Sequence, residues 1–224
     1  MSVYQALLHS SAKLGKKLGV EWIDSERFEN GNKDEVKFLN KFDGILVPGG
    51  FGARGSEGII NSINYARQKN IPFLGICFGF QLSLIEFARN KCGIVGASSQ
   101  EFNHSNNSLV KFMPEQEQTV DLGGTMRLGN HDITIVPKTL ASSIYRNKKI
   151  GRRHRHRYEF NQDYRQVIEE NGMVLSGHSD KGRRIEILEF PSNKFFFAVQ
   201  YHSEFSSIPG KPEEAFKAFI TSCV

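Results

Sequence analysis

Two short apolar segments, each followed by a helical pattern, stand out between residues 44 and 93. Residues 44–47 and 72–76 are typical of buried strands, and residues 56–70 and 78–93 carry apolar side chains at helical spacing. Apolar strands that alternate with helices of this length form parallel sheets whose two faces are covered. The pattern predicts an α/β fold with three layers, in which a mainly parallel central sheet lies between helices.

The rest of the chain adds elements to this plan. Ser56 begins the first of these two helical segments and is expected to cap it. Later segments are short and extended, and we expect them to add a few antiparallel strands to the sheet. The other predicted elements are a helix over residues 3–18, a short strand at 20–24, two strands at 125–129 and 131–137, and a final helix over 212–224.

The composition is that of a globular protein. The 224 residues are 39% hydrophobic and 24% charged, which is enough for one substantial core, and no proline-, glycine- or serine-rich linker divides them. We therefore expect a single domain over residues 1–224. No apolar run approaches the roughly 18 residues that span a bilayer, and the first residues lack the layout of a secretory signal. We expect no membrane partner and a cytoplasmic location.

Cysteine spacing and net charge argue against three kinds of function. Cys77, Cys92 and Cys223 are too far apart in sequence to indicate a disulfide framework or a zinc site. The net charge of +5 is modest for this length and comes partly from residues 151–157. Such a balance does not indicate nucleic-acid binding.

One cysteine lies where a strand turns into a helix. Gly75-Ile76-Cys77-Phe78-Gly79 has the form of a nucleophile elbow, in which a sharp turn presents the central side chain at the edge of the sheet. The helix N-terminus favours a thiolate, and the N–H of Phe78 would point to where an oxyanion forms. A buried structural cysteine is the alternative, but it would not require both flanking glycines.

A cysteine nucleophile needs a base and an oxyanion hole, and the sequence offers both. His202 and Glu204 follow an apolar strand, and residues two apart on an extended segment face the same side. After the first strand, the loop at 48–52 is rich in glycine, and Gly50 would lie beside the elbow if the two strands are adjacent. This loop matches neither phosphate-binding pattern, so we do not expect a nucleotide site.

The basic segment at 153–157 alternates arginine with histidine. If it is extended, its three arginines share one face and His154 and His156 the other. No third metal ligand lies nearby in sequence, although a distant Asp or His could supply one. Aromatic residues do not interleave the run as single-stranded nucleic-acid binding would require.

These motifs together resemble a known family. The segments GICFGFQ, VPGGFG and QYHSEF are similar to the elbow, the loop and the late His-Pro-Glu of class I (triad) glutamine amidotransferases. Within that superfamily, residues 98–102, 123–129 and 153–161 resemble the C-terminal glutaminase domain of the CTP synthase family. The likeness runs from residue 2 to residue 212 and keeps the family's order.

The resemblance implies a role for each matching position. Cys77 would attack the side-chain amide of L-glutamine, with His202 as acid and base and Glu204 as the group that orients the imidazole. The other implied roles are an oxyanion hole at Gly50 and Phe78, and a substrate-binding set of Gln81, Glu101 and Arg157. A free amino acid needs an anion for its ammonium group and a cation for its carboxylate, which agrees with this set.

The sequence departs from the family pattern in two places. Ser203 stands where the family has proline, and Phe78 and Phe80 replace the usual leucine and methionine of the elbow. Neither change removes a backbone N–H donor or alters the spacing of His202 and Glu204, so we expect activity to be retained.

The resemblance also implies further domains and partners. The family domain normally begins with an additional strand and follows an ATP-dependent amidoligase domain. We therefore expect an excised part of a larger enzyme, whose other domain would use ATP, Mg²⁺ and the released ammonia to convert UTP to CTP. No cofactor or metal is expected in the glutaminase domain itself. The implied partners are L-glutamine, the amidoligase domain and, for the full-length enzyme, further copies in a tetramer.

Two other functions remain open from the sequence. A γ-glutamyl peptidase could share the fold and the triad, but it would not need Glu101 and Arg157 to hold both free ends of glutamine. A non-catalytic assembly module is the third possibility.

Overall fold

The computed structural model of the protein describes residues 1–30, 33–102, 107–113 and 126–224, with main chain alone at position 33. The helices are α1 (Ser2–Lys13), α2 (Lys33–Val36), α3 (Ser56–Lys69), α4 (Phe78–Asn90), α5 (Leu140–Tyr145), α6 (Arg165–Glu170) and α7 (Glu214–Ser222). The strands are β1 (Ile45–Val47), β2 (Phe73–Ile76), β3 (Ser98–Ser99), β4 (Ser108–Phe112), β5 (Arg127–Ile135), β6 (Lys149–His156), β7 (Tyr158–Phe160), β8 (Val174–Ser179), β9 (Arg184–Glu189) and β10 (Phe196–Val199).

Seven strands form the central sheet in the order β1-β2-β10-β9-β8-β5-β6. Strands β1, β2 and β10 are parallel, whereas β9, β8, β5 and β6 continue the sheet by antiparallel pairing. A second sheet of three strands has the order β3-β4-β7. The predicted α/β class is confirmed, with antiparallel pairing more extensive than the few strands expected.

Each face of the central sheet packs against helices. Along β2, Phe73 belongs to the core on the side of α3 and α4, and Leu74 belongs to the core on the side of α1, α5 and α7. Phe196 and Phe197 divide in the same way along β10. This alternation follows from the opposite directions of successive side chains on a strand. The apolar runs of the sequence therefore correspond to strands buried on both faces, as predicted.

The N-terminal segment differs from its prediction. Helix α1 ends at Lys13 rather than near residue 18, because Gly15 adopts a left-handed conformation with φ of 64°. The Gly15 N–H donates to Ala12 at 3.2 Å and the Lys16 N–H to Ser11 at 2.9 Å, which is the hydrogen-bond pattern of a Schellman C-cap.

The strand predicted at residues 20–24 was also wrong, because these residues pair with none of the strands above. At its end, the Asp24 carboxylate instead accepts the N–H of Glu26 at 3.1 Å and begins a 3₁₀ helix. Such a cap favours a turn over continued extension.

Two further expectations need correction. Ser56 does not cap α3: Gly55 precedes the helix, and the Ser56 hydroxyl donates to the carbonyl of Ala53 at 2.7 Å. The two strands expected at 125–129 and 131–137 are replaced by one continuous strand, β5, which covers Arg127–Ile135. Residues 123–125 of the 123–129 motif lie outside the described part. Among the described residues, no helix has both the length and the apolar character needed to cross a bilayer.

Candidate active site

Cys77 occupies the sharp turn between β2 and α4. Its backbone has φ of 50° and ψ of −93°, a conformation that residues other than glycine rarely adopt. Two hydrogen bonds hold it there: the Cys77 N–H donates to the carbonyl of Val199 at 2.7 Å, and its own carbonyl accepts the N–H of Gln81 at 3.2 Å. The elbow predicted from the glycine spacing is therefore present.

The two flanking glycines are required by close packing. A Cβ on Gly75 would lie 2.9 Å from the Cβ of Ala198 and 2.9 Å from the carbonyl of Gly79. A Cβ on Gly79 would overlap the carbonyl oxygen of Val47 in β1. Any larger residue at either position would push α4 away from the sheet.

Cys77 is buried, with 6% of its surface exposed. Three polar groups lie near its sulfur. The side-chain amide nitrogen of Gln200 lies 3.8 Å from Sγ, and the carbonyl oxygen of Arg155 lies 3.9 Å from it. The third neighbour is the imidazole of His202, which interacts electrostatically with Cys77.

His202 is held between Cys77 and a carboxylate. Its Nδ1 lies 2.8 Å from Oε1 of Glu204, which can only accept a hydrogen bond when ionised. Nδ1 therefore carries a proton and is the hydrogen-bond donor. This leaves Nε2 as the ring nitrogen that is available to the sulfur. The main-chain N–H of His202 donates to the carbonyl of Arg153 at 2.9 Å, and the ring of Phe205 stacks on the imidazole at 5.3 Å.

The backbone that joins His202 to Glu204 differs from the one expected. Strand β10 ends at Val199, and Ser203–Ser206 form a 3₁₀ helix. The contact predicted for an extended segment is thus made across the start of a helical turn, and the reasoning from strand periodicity was wrong although the pair does meet.

The charge of His202 depends on its partners. Burial opposes protonation of the ring, but the hydrogen bond to Glu204 and the interactions with Cys77 and Glu204 outweigh it and raise the pKa of His202 to about 10. The imidazole is therefore protonated at neutral pH and lies beside the sulfur as a proton donor.

The glycine-rich loop lies against this group. A Cβ on Gly49 would lie 2.8 Å from Cε1 of His202 and 3.7 Å from Cβ of Cys77. A Cβ on Gly50 would lie 3.2 Å from the ring of Phe78. The structure thus brings Gly50 and Phe78 together, because β1 and β2 are adjacent parallel strands. As the first residue of α4, Phe78 has an N–H with no acceptor in the preceding turn.

The other predicted positions lie near the loop and the elbow. Glu101 accepts the N–H of Gly52 at 2.8 Å, and the charge of Arg157 acts on its carboxyl group. Burial raises the pKa of Glu101, although Gly52 and Arg157 oppose the shift. Gln81 is 3% exposed, and its side-chain nitrogen donates to the carbonyl of Tyr158 at 3.3 Å. Their roles in binding a substrate stay predictions.

Strand β6 carries the basic segment across the site. Its arginines and histidines alternate as expected: His154 and His156 are buried, and Arg153 and Arg155 are exposed. The carbonyls of those same arginines contact His202 and Cys77. The main chain of β6 therefore contributes directly to the site.

A buried polar cluster, formed by His154, His156, Glu186 and Arg127, lies behind β6. Arg127 donates to Glu186 at 2.7 Å, and Nδ1 of His154 lies 3.0 Å from Nε2 of His156. Nδ1 of His156 lies 2.8 Å from the carbonyl of Tyr158 and must be the donor, so its Nε2 accepts from His154. Burial and the charge of Arg127 lower the pKa of His156 to about 3 and also lower that of His154.

Glu186 is a third potential metal ligand beside His154 and His156, and the sequence did not reveal it. One ligand atom each from His154, His156 and Glu186 lies within 4.8 Å of the others. However, the guanidinium of Arg127 already pairs with this carboxylate, and a second cation beside it would be repelled. We interpret the group as a hydrogen-bonded network that supports β6.

Sequence reasoning also missed Gln200. Its position directly before the Tyr201-His202 pair was a usable signal, because it follows the strand that leads to His202. Arg127 and Glu186 gave no such signal, since they lie on strands far apart in sequence.

Residues 1–222 match the family Glutamine amidotransferase class-I. The chain therefore belongs to this family, in which the elbow, the loop and the late histidine were recognised above. Within it, the chain is 52% identical to a CTP synthase of Staphylococcus carnosus over 98% of its own length, and 48% identical to one of Archaeoglobus fulgidus over 100%.

A solved structure supports the same relationship. The glutaminase domain of Trypanosoma brucei CTPS with bound acivicin superimposes with a TM-score of 0.92 at 37% identity, covering 99% of this chain and 86% of that domain. The chain spans 41% and 42% of the two CTP synthases named above. The predicted likeness to the CTP synthase glutaminase domain is confirmed.

Proposed function

We propose that this chain hydrolyses L-glutamine to glutamate and ammonia at Cys77. The observation that carries the proposal is the position of His202, which lies beside Cys77 at the elbow and hydrogen-bonds to Glu204. A thiol, an imidazole and a carboxylate in this order form the nucleophile, the acid and base, and the orienting group of acyl-transfer enzymes.

In the first half of the reaction, the sulfur attacks the side-chain amide carbon of glutamine. The C=O electrons move onto oxygen, and the N–H groups of Gly50 and Phe78 would stabilise the resulting oxyanion. Each such donor contributes about 2.7 to 4 kcal/mol in comparable chemistry. Protonated His202 then donates its Nε2 proton to the departing nitrogen, which leaves as ammonia, and a γ-glutamyl thioester remains on Cys77.

In the second half, His202 acts as a base. Its neutral Nε2 takes a proton from water while the water oxygen attacks the thioester carbon. Collapse of this second tetrahedral intermediate breaks the C–S bond, releases glutamate and returns the sulfur to its starting state. Glu204 would keep Nδ1 protonated through both steps and stabilise the imidazolium.

Substrate recognition would use Glu101, Arg157 and Gln81. A carboxylate for the ammonium group and a guanidinium for the carboxylate distinguish a free amino acid from a peptide. The electrostatic coupling of Glu101 and Arg157 supports this assignment over a γ-glutamyl peptidase.

The ammonia would be transferred to UTP. We infer this from the relatives named CTP synthase, of which the chain spans 41% in the case of Staphylococcus carnosus. An amidoligase domain would bind ATP, Mg²⁺ and UTP, and the glutaminase domain would need no cofactor of its own. We propose further that residues 1–224 form one domain of a tetrameric cytoplasmic enzyme without a nucleic-acid partner.

Glutamine hydrolysis and site-specific substitution test the proposal. Wild-type protein should release ammonia from L-glutamine, and Cys77→Ala should release none above background. Cys92→Ala is the matched control and should keep wild-type activity, because burial raises the pKa of the Cys92 thiol to about 11 and keeps it protonated. Equal rates for wild type and Cys77→Ala would instead support a non-catalytic assembly module.

A further inference from the structure

We propose that Gln200 is a further catalytic residue, whose side-chain amide N–H donates to the sulfur of Cys77 and stabilises it as an anion. This inference rests on the proposed function, since it assigns a role within the same site. The N–H donor lies 3.8 Å from Sγ, within hydrogen-bonding distance for sulfur.

Gln200 is held rigidly beside the elbow. It directly follows β10, is 1% exposed, and its main-chain N–H donates to the carbonyl of Glu186 at 2.9 Å. Val199, the residue before it, accepts the N–H of Cys77 at 2.7 Å. The donor and the sulfur are therefore positioned by the same strand, and little conformational freedom is lost when the hydrogen bond forms.

A second glutamine fixes which end of the Gln200 amide faces the sulfur. The carbonyl of Tyr158 can only accept, so the Gln81 group 3.3 Å from it must be the NH₂ group. That NH₂ group also lies 3.2 Å from Gln200, where it requires an acceptor, and this places Oε1 of Gln200 toward Gln81. The NH₂ group of Gln200 is left to face Sγ. Gln81 thus acts as a positioning residue for Gln200.

The neighbours of Sγ favour different protonation states. The carbonyl of Arg155, 3.9 Å away, can accept a hydrogen bond from a thiol but repels a thiolate. The amide N–H of Gln200 favours a thiolate, and so does protonated His202. In a buried site, a hydrogen bond to an anion is stronger than one to a neutral atom. Gln200 would therefore help to keep the sulfur ready for attack before and after each turnover.

The test measures the sulfur separately from glutamine hydrolysis. The rate at which iodoacetamide alkylates Cys77, followed by peptide mass spectrometry over a pH series, has a half-maximal pH that reports thiolate formation. Gln200→Met removes the donor without adding charge, and we expect the half-maximal pH to rise by about one unit or more. We expect kcat to fall about tenfold or more with little change in KM. Ser62→Ala, which removes a buried hydrogen bond in α3, is the control and should leave both unchanged.

A second variant separates donation from mere support of Gln81. Gln81→Met removes the side chain that Gln200 supports, so Gln200→Met is measured with and without it. If Gln200 only supports Gln81, adding Gln200→Met to Gln81→Met should leave the half-maximal pH unchanged, and that result would overturn the inference. A further rise of about one unit in the double variant supports it. Gln200→Leu serves in the same comparison if Gln200→Met fails to fold. Failure of the proposed function would appear differently, as wild-type protein that is alkylated at Cys77 but hydrolyses no glutamine.

Discussion

Gly49 lies directly against the imidazole of His202, and a Cβ built on it would lie 2.8 Å from Cε1. Gly49 does not have a positive φ, so its role is to leave room for the imidazole rather than to permit an unusual backbone. The glycine-rich loop thus has two functions, since its neighbour Gly50 packs on Phe78 of the elbow.

We predict that Gly49→Ala displaces His202 and lowers kcat/KM for glutamine hydrolysis. Displacement of a catalytic group by about 1 Å costs on the order of 100-fold in rate. Gly19→Ala is the matched control, because nothing lies within 4 Å of its added Cβ. A Gly49→Ala protein with wild-type kinetics and stability would contradict the placement of the loop against His202.

Gly79→Ala should instead destabilise the fold. Its Cβ would overlap the main-chain carbonyl of Val47, which cannot move without displacing β1 from the sheet. Overpacking of this kind costs about 1 to 3 kcal/mol. Chemical denaturation should show the loss against Gly19→Ala. An unchanged free energy of unfolding would show that α4 and β1 are not in close contact.

The buried ion pair of Arg127 and Glu186 gives a prediction about stability. Both side chains are nearly inaccessible, at 7% and 0% exposure. Arg127→Met would leave the carboxylate without its cation, at a cost of about 3 to 5 kcal/mol. Glu186→Met in the same protein should recover much of that loss. A double-mutant cycle of unfolding free energies measures the coupling, and additive effects would contradict a direct pair.

The buried histidines predict that stability depends on pH. The pKa of His156 is about 3 in the folded chain, against an ordinary value of 6.5. Between these values the unfolded chain binds more protons, so the free energy of unfolding rises with pH. This contribution is complete above about 6.5 and is lost as the pH falls toward 3, and the lowered pKa of His154 acts in the same direction. Denaturation series should show a weaker pH dependence in His156→Asn, and an equal dependence would contradict this origin.

The sequence was informative where local geometry determines the contacts. Glycine spacing around Cys77 predicted the elbow, because only glycine fits between α4, β1 and β10. Adjacent parallel strands predicted that Gly50 would lie near Phe78. The fold class followed in the same way from strands that are apolar on both faces.

Contacts between distant segments could not be predicted in this way. Gln200 meets Gln81 across the junction of β10 and α4, and Glu186 on β9 meets His154 on β6 although β8 and β5 lie between these strands in the sheet order. The positions of these residues in the sequence do not indicate that their side chains meet in the fold. The extended segment expected at residues 20–24 failed because a strand needs a partner, and none of the described strands pairs with it.

The most direct test of glutamine hydrolysis at Cys77 is to trap the intermediate. Protein mixed with L-glutamine and quenched in acid within a turnover should carry one γ-glutamyl group, and peptide mapping should locate it on Cys77. Hydrolysis of glutamine without any γ-glutamyl adduct on Cys77, in protein whose quench preserves a synthetic thioester, would contradict the account.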